Sequence, residues 1–323
     1  MWHRRVEGRA RTSLRRTESG ARRPVESGRM RTAASIRARR EPRRGLVDVL
    51  VPTRNRPVEL ATTIAGLAAQ DYPFDVLVSD QSDGQASYDT PTAAALLRVL
   101  AQSGRRVRTQ RHLPRRGLAE HRAAMLAAST APFALFCDDD VWLEAGVVER
   151  LHEAIVELGC GLVGAAVQGM SHLHDHRPAE LEPFERWPGR PEPELIEPER
   201  QAWRRWTLHN AANPSHLARR HLRPGERWLA YKIAWVGGCV LYDRAVLDAV
   251  GGFGFWPQLP AVHCGEDVLA QHRVMARAGG AGILPSGAVH LESCTTVPDR
   301  SVQARTVLGL EPSLPFAPVR SRQ

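Results

Sequence analysis

The stretch that decides the fold is FALFCDDDVWLEAG, which runs from Phe133 to Gly146. An apolar run typical of a buried strand ends in three consecutive carboxylates, Asp138–Asp140, and the chain then becomes apolar again. Placing three like charges side by side at the end of a buried strand costs free energy. Clustered carboxylates suit a hard divalent cation such as Mg²⁺ or Mn²⁺, whereas capping the following helix needs only one Asp. The triplet alone leaves both interpretations open.

The sequence on either side of the triplet alternates between strand-like and helix-like segments. Apolar runs at 46–51 and 74–80 predict strands, and the apolar spacing of Leu60, Ile64 and Leu67 predicts a helix between them. This alternation with short links predicts an α/β fold with a mainly parallel central sheet flanked by helices. Such sheets bind ligands beyond the carboxyl ends of their strands, where Asp80 and the triplet both fall.

The formal net charge of +9 is concentrated in the first 44 residues. They contain 15 arginines and four glutamates, a net charge of +11, so the rest of the chain carries −2. This composition predicts a disordered tail. The tail would be a solvated extension, a contact for anionic lipid or nucleic acid, or a transit peptide. Because the body is slightly acidic, we expect no nucleic-acid partner and at most a peripheral membrane contact through the tail.

The five cysteines are scattered and form no C-x-x-C pair, which predicts reduced thiols and a cytoplasmic, or membrane-peripheral, protein. Periodicity is lost over residues 171–228, which are rich in Pro, His, Trp and Arg and predict a long functional loop or lid. We therefore expect a tail at 1–44, one domain at 45–300 and a C-terminal tail at 301–323.

Six segments resemble, in the same order along the chain, the motifs of the family 2 glycosyltransferases. They are VPTRNRP, VSDQSDG, RRGLAEHRAAMLAAS, FCDDD, VGGCVLYDRAVLDAVGGF and GEDVLAQHRVMARAGG. Each is short enough to arise by chance, but six in the right order across residues 46–295 are not. FCDDD matches the D-x-D motif of the family, and GED matches its acidic helix start. The resemblance implies a GT-A-type nucleotide-sugar-binding fold, with 45–170 as the nucleotide-binding part and 229–300 as the acceptor and base segment.

The resemblance also implies roles for individual residues on the donor side. The nucleotide-binding residues would be Pro52, Thr53, Arg54, Asp80, Arg116, Asp138 and Asp139. Among them, Asp80 would accept a hydrogen bond from the nucleobase and Asp138 would contact the ribose. Asp140 and His290 would hold Mn²⁺ or Mg²⁺, which offsets charge on the departing diphosphate. Gln81 departs from the family, because it stands where the turn after the second strand usually has its second acid.

On the acceptor side, Asp267 would be the general base that takes the proton of the attacking hydroxyl. Glu266 is the alternative base, since a shift of one residue can exchange the pair. A non-functional interpretation is that both acids only stabilise a helix N-terminus. The residues shaping the acceptor side would be Trp235, Gly237 and Gly238.

The resemblance thus implies a metal-dependent, inverting transfer of a sugar from a nucleotide-sugar donor to a hydroxyl-bearing acceptor. Bacterial glycan, glycolipid or glycosylated-metabolite synthesis would be the setting. One alternative is a sugar nucleotidyltransferase, which would normally show a Gly-rich loop after the first strand that VPTRNRP lacks. Another is a non-catalytic protein that binds a nucleotide or glycan. The joint presence of Asp140, Asp267 and His290 argues against this second alternative.

Overall fold

The structure is a computed structural model that describes residues 45–309. The predicted tail at 1–44 and residues 310–323 of the predicted C-terminal tail lie outside the described residues. The strands are β1 (Val47–Thr53), β2 (Asp75–Asp80), β3 (Val107–Arg111), β4 (Phe133–Cys137), β5 (Val141–Leu143), β6 (Leu162–Gly164), β7 (Gln168–Gly169), β8 (Leu229–Tyr231), β9 (Cys239–Asp243), β10 (Gly280–Leu284) and β11 (Ala288–His290). The α-helices are α1 (Pro57–Ala68), α2 (Pro91–Gln102), α3 (Leu118–Ala128), α4 (Val147–Leu158), α5 (Pro178–Leu181), α6 (Asn213–His221), α7 (Arg244–Ala249), α8 (Glu266–Ala278) and α9 (Ala304–Leu308).

Eight strands form the central sheet, in the order β3-β2-β1-β4-β9-β6-β10-β8. The half that contains β3, β2, β1 and β4 is parallel throughout. Strand β9 runs antiparallel between β4 and β6, β6 and β10 are parallel, and β8 is antiparallel at the far edge. The predicted α/β fold with a mainly parallel central sheet flanked by helices is confirmed.

Side chains on both faces of the sheet are buried, because helices cover both faces. Along β1, Val49 and Val51 pack with Leu60 of α1 in one hydrophobic cluster. Leu50 points the opposite way and packs with Met125 of α3 in a second cluster. This alternation is what a strand buried on both sides requires. It explains why β1, β2 and β4 are largely apolar, whereas the edge strand β3 is not.

A second, three-stranded sheet in the order β5-β11-β7 lies directly after the triplet. Strand β5 pairs antiparallel with β11, so that Val141 lies opposite His290. The backbone N–H of Leu291 donates to the carbonyl of Asp140 over 2.9 Å. This pairing brings two parts of the chain that are 150 residues apart to one place.

The chain between 171 and 228 contains helices α5 and α6 and a 3₁₀ helix, Gln201–His209. Ile196, Leu208 and Leu217 of this segment are fully buried in the second hydrophobic cluster. Past residue 300, the backbone N–H of Ala304 donates to the carbonyl of Cys264 over 2.9 Å, so the chain still packs against the body there. Within residues 45–309, no helix is long and apolar enough to cross a membrane.

Candidate active site

A cavity of about 1480 Å³ opens beyond the carboxyl ends of β1 and β4. Of the residues predicted from the sequence, eleven line it: Pro52, Thr53, Arg54, Asp138, Asp139, Asp140, Trp235, Gly237, Glu266, Asp267 and His290. Three predicted residues are not among the lining residues, namely Asp80, Arg116 and Gly238. The structure therefore brings most of the predicted constellation together around one space.

The position of Asp138 follows from the pairing of β4 with β9. Cys137 and Cys239 lie opposite each other in this pair, and the Asp138 N–H donates to the carbonyl of Gly238 over 2.8 Å. Gly238 has a φ of +77°, and a Cβ there would lie 2.6 Å from Cγ1 of Val167. Only glycine meets both requirements. Gly238 thus holds the first acid of the triplet through its backbone rather than by lining the cavity.

Asp139 and Asp140 both pair with one buried arginine, Arg56, which follows β1. Its Nη1 lies 3.1 Å from Oδ1 of Asp139 and 2.6 Å from Oδ2 of Asp140. Its Nη2 donates to the carbonyl of Cys294. Asp139 Oδ2 also accepts from the hydroxyl of Thr53 over 2.7 Å. Burial raises the pKa of Asp139 to about 7 although Thr53 and Arg56 both lower it.

Asp140 and His290 are placed as two ligands of one cation would be. Oδ2 of Asp140 lies 3.5 Å from Nε2 of His290, and two neighbouring ligands at ~2.1 Å from an octahedral Mg²⁺ are roughly 3 Å apart. Among the described residues, no group of three His, Cys, Asp or Glu side chains could hold a metal by itself. Mg²⁺ usually completes its shell with substrate phosphates and water, so the carboxylate of Asp140 fits this use.

The imidazole of His290 fits a cation less directly than Asp140 does. Its Nδ1 accepts a hydrogen bond from the N–H of Glu292 over 2.8 Å. A neutral ring in that state carries its proton on Nε2, the atom nearest Asp140. A histidine that binds metal through Nε2 instead donates from Nδ1. His290 must give up the contact with Glu292 before it can bind a cation through Nε2.

A second buried arginine, Arg122 of α3, joins the triplet to the acidic helix start. Its Nη2 lies 3.2 Å from Oδ1 of Asp138, and its Nε lies 3.0 Å from Oε1 of Glu266. The two carboxylates raise its pKa above the ordinary arginine value although burial lowers it. Glu266 is only 2% exposed. Its carboxylate is therefore committed to an internal ion pair.

Asp267, the next residue, is half-buried and faces the cavity. Across residues 45–309, no Lys, Arg or His side chain lies within 4 Å of its carboxylate. Burial, and the nearby charge of Glu266, raise the pKa of Asp267 above the ordinary aspartate value. Both acids lie in the first turn of α8, after Gly265 at a φ of +73°, where the helix dipole favours negative charge. The helix start thus stabilises both acids, and of the two only Glu266 has a cationic partner within residues 45–309.

Asp80 lies at the end of β2 but is turned into the protein and is 0% exposed. Its Oδ1 accepts from the N–H of Ser82 over 2.6 Å, and its Oδ2 accepts from the N–H of Ser87 over 2.8 Å. These bonds hold the loop 82–87 in place. In the structure, Gln81 rather than Asp80 is the residue of this turn that lines the cavity.

The segment before α3 also differs in detail from the prediction. Both Arg115 and Arg116 are exposed, but Arg115 lines the cavity and pairs with Asp83 over 3.1 Å, whereas Arg116 is not among the lining residues. Gly117 has a φ of +107°, and a Cβ there would lie 2.5 Å from Cε1 of His263. Nε2 of His263 accepts from the N–H of Ala119 over 3.1 Å. This contact fixes α3 against the chain that leads into α8.

Residues from two further stretches also line the cavity; the sequence predicted the segment 171–228 as an acceptor-side loop or lid but did not single out residues in either stretch. One is the C-terminal stretch Ser293, Thr295, Thr296, Val297, Pro298, Asp299, Arg300, Gln303, Arg305 and Thr306. The other is the pair Pro198 and Trp203 from the segment 171–228. Arg122 had a signal, since it lies on the same helix face as the apolar Ala119, Met125 and Leu126. Arg56, Trp203 and Arg305 had none, because they lie in a loop, a 3₁₀ helix and a five-residue helix whose sequences show no periodic pattern.

The fold and the site together define the class of glycosyltransferases with a GT-A-type fold, which use nucleotide sugars. The family model for glycosyl transferase family 2 matches residues 48–223, more than half of the chain. The chain belongs to this family.

Solved structures show the same fold at low identity. Residues 1–349 of S. aureus TarS share 15% identity, with 76% of this chain and 60% of that chain covered and a TM-score of 0.50. The mannosyltransferase PcManGT from Pyrobaculum calidifontis, in complex with GDP-Man and Mn²⁺, shares 18% identity over 80% and 60% of the two chains, with a TM-score of 0.47. The chain thus spans about 60% of the length of these structures. No curated protein matches it.

Proposed function

We propose that the protein transfers a sugar from a nucleotide-sugar donor to the hydroxyl group of an acceptor, with inversion at the anomeric carbon. The observation that carries the proposal is the state of the carboxylates around the cavity. Asp138, Asp139, Asp140 and Glu266 each pair with Arg56 or Arg122, and Asp267 does not. A carboxylate that faces a cavity with a raised pKa and no cationic partner is suited to accept a proton.

The reaction would proceed by a single displacement. The acceptor hydroxyl gives its proton to the carboxylate of Asp267 while its oxygen forms a bond to the anomeric carbon. The bond between that carbon and the diphosphate oxygen breaks, and the nucleoside diphosphate leaves. Glu266 would act as a positioning residue, because its ion pair with Arg122 fixes the first turn of α8 relative to Asp138.

On the donor side, Pro52, Thr53, Arg54 and Asp138 line the part of the cavity that we propose for the nucleotide. Asp80 would support this pocket by ordering the loop 82–87, and Arg116 would contribute charge from the exposed rim. Asp139 would hold Arg56 and Thr53 in place. Trp235, Gly237 and Gly238 would shape the acceptor side next to Asp267.

Asp140, with His290 once the latter has released Glu292, would hold Mn²⁺ or Mg²⁺ together with the diphosphate. When bound, such a cation supplies positive charge for the leaving group. The guanidinium of Arg56 lies against the same carboxylate and must share or leave it. A role in bacterial glycan, glycolipid or glycosylated-metabolite synthesis, a cytoplasmic location and a peripheral membrane contact through residues 1–44 remain predictions from the sequence.

The proposal is tested by measuring thermal unfolding with UDP-, GDP- and dTDP-sugars, with and without Mn²⁺. A donor that binds the native state raises its apparent stability. Release of nucleoside diphosphate from that donor is then measured with a panel of hydroxyl acceptors. Asp140→Asn should abolish the effect of Mn²⁺ on both readouts. If no donor binds, or if the sugar is not transferred, the proposal is wrong; release of pyrophosphate instead would identify a nucleotidyltransferase.

A further inference from the structure

We propose that the acceptor carries an anionic group, a carboxylate or a phosphate, and that Arg305 binds this group. The inference rests on the proposed transfer reaction and specifies the substrate class of its acceptor side. It starts from a cluster of which the sequence predicted only one member, Trp235. Four side chains form it: Trp203, Trp235, His272 and Arg305.

The two tryptophans give the cluster an aromatic wall. Their rings lie 5.1 Å apart at an angle of 58°, and both are half-buried and line the cavity. The guanidinium of Arg305 lies 5.0 Å from the centre of the Trp203 ring. A half-buried aromatic wall of this kind can pack against the face of a sugar or another ring. The aromatic wall would restrict the shape of the ligand that can bind, but it does not select the charge of that ligand.

The guanidinium of Arg305 is fixed in position by a hydrogen bond to a neutral group, so its positive charge is not neutralised. Its Nη1 donates to Nδ1 of His272, whose Nε2 donates to the carbonyl of Ala234 over 3.1 Å. Since Nε2 carries the proton, Nδ1 is the acceptor and the ring is neutral. Burial lowers the pKa of His272 to about 3, so the ring stays neutral at physiological pH.

No described carboxylate lies within 4 Å of Arg305, although Glu197 and Glu199 are near enough to raise its pKa. Burial outweighs them and lowers the pKa of Arg305 below the ordinary arginine value. Arg56 and Arg122, the other buried arginines of the cavity, each pair with two carboxylates. Arg305 is thus a partly desolvated cation that faces the cavity without a close counter-ion. An anionic ligand would satisfy it with charge-assisted hydrogen bonds.

The position of the cluster assigns this anion to the acceptor rather than to the donor. His272 lies five residues beyond Asp267 on α8, a rise of roughly 7.5 Å along the helix axis. Gln271 Oε1 accepts from the N–H of Val236 over 2.8 Å, which keeps Trp235 beside this helix. The triplet that we propose for the diphosphate contacts Arg56 and Arg122 instead. The anion of the acceptor would therefore be bound next to α8, the helix whose first turn carries Asp267.

The experiment uses the full chain, saturated with the nucleoside diphosphate of the donor that binds. The probes share one ring and differ only at one carbon: D-glucose, D-glucuronate and D-glucose 6-phosphate. A second set of probes consists of the neutral 4-hydroxybenzamide and the anionic 4-hydroxybenzoate. Binding is followed by calorimetry and by quenching of tryptophan fluorescence. At least one anionic probe should bind about tenfold to a hundredfold more tightly than its neutral partner, the range expected for hydrogen bonds to charged groups. The carboxylate and phosphate arms show which anion the site prefers.

Arg305→Gln should remove this preference and leave affinity for the nucleoside diphosphate within twofold of the wild type. The matched control is Arg204→Gln, which removes the same charge one residue from Trp203, where the side chain is 62% exposed. It should keep the preference. The proposal is overturned if neutral and anionic probes bind equally tightly, or if no anionic probe binds at its highest soluble concentration. It is also overturned if Arg305→Gln lowers the affinity for the nucleoside diphosphate instead of removing the preference for anionic probes. Because nucleoside diphosphate binding is measured in the same samples, failure of the anion preference is distinguishable from failure of the transferase proposal.

Discussion

The two acidic motifs of the cavity share the buried arginines Arg56 and Arg122 unequally, so that their carboxylates differ in their ion pairs. At the triplet, Arg56 pairs with both Asp139 and Asp140, while Asp138 pairs with Arg122 and keeps a side chain that is 39% exposed. At the start of α8, Arg122 pairs with Glu266, and no Lys, Arg or His side chain in the described part of the chain lies within 4 Å of Asp267.

The difference shows that carboxylates clustered in one cavity can still serve different functions. An acid paired with a buried arginine is held in position by that ion pair, even where burial raises its pKa as it does for Asp139. Asp267 also has a raised pKa but has no Lys, Arg or His side chain within 4 Å among residues 45–309, so it can accept a proton. Triplet residues are thereby suited to binding charge, and Asp267 is suited to proton transfer. The predictions below test this contrast, from the largest expected effect on stability or binding to the smallest.

Removing Arg122 should cost more stability than any other change in the cavity. Arg122→Met leaves Glu266 buried without its partner, and breaking a buried pair in this way costs about 3–5 kcal/mol of the free energy of unfolding. Arg56→Met should cost less, because Asp139 keeps its bond to Thr53. Urea unfolding of the two variants measures the difference. Equal losses would contradict the distinct roles of the two arginines.

A substitution at the contact between Gly117 and His263 should cause the next largest loss of stability. Gly117→Ala places a Cβ at a φ of +107° and within 2.5 Å of the imidazole, which costs about 1–3 kcal/mol. The matched control is Gly84→Ala, where a Cβ meets nothing within 4 Å. Thermal unfolding should separate the two variants, and a neutral Gly117→Ala would show that the approach of α3 to the α8 side is not tightly fixed.

Arg56 should compete with a cation for Asp140. Arg56→Gln removes this competitor, so the free protein should bind Mn²⁺ more tightly, by about tenfold if one charged hydrogen bond no longer has to be replaced. Titration followed by electron paramagnetic resonance of free Mn²⁺ measures this without turnover. An unchanged or weaker affinity would mean that Arg56 stabilises the cation site rather than competing for it.

The pH dependence should report the raised pKa of Asp267. A general base must be deprotonated, so kcat/KM should rise with pH through a pKa above the ordinary aspartate value of about 3.9. This rise of kcat/KM with pH should be absent from the residual activity of Asp267→Asn. A rise at the ordinary aspartate pKa, or one that persists in Asp267→Asn, would assign the titration to another group.

Much of the fold could be predicted from the sequence because strands buried on both faces and amphipathic helices leave direct patterns. The run before Asp138 and the Leu60–Ile64–Leu67 spacing are examples. The triplet was also predictable because three carboxylates after a buried strand are unusual, and Glu266 and Asp267 were predicted because the GED segment resembles a family motif. What could not be predicted was which acid each arginine would take. Arg56 reaches the cavity from the loop after β1 and Arg305 from the short helix α9, and Asp80 is turned inward because the N–H groups of Ser82 and Ser87 donate to it.

The most direct test of the account compares Asp267→Asn with Glu266→Gln in the rate of nucleoside diphosphate release with saturating donor and acceptor, normalised to the folded fraction of each preparation. The account predicts that Asp267→Asn folds and binds the donor as the wild type does, but is slower by about 10²–10⁴-fold, the usual contribution of a general base. Glu266→Gln should be less stable and, where folded, should lose less than tenfold. A folded Glu266→Gln that is inactive beside an active Asp267→Asn would contradict the account.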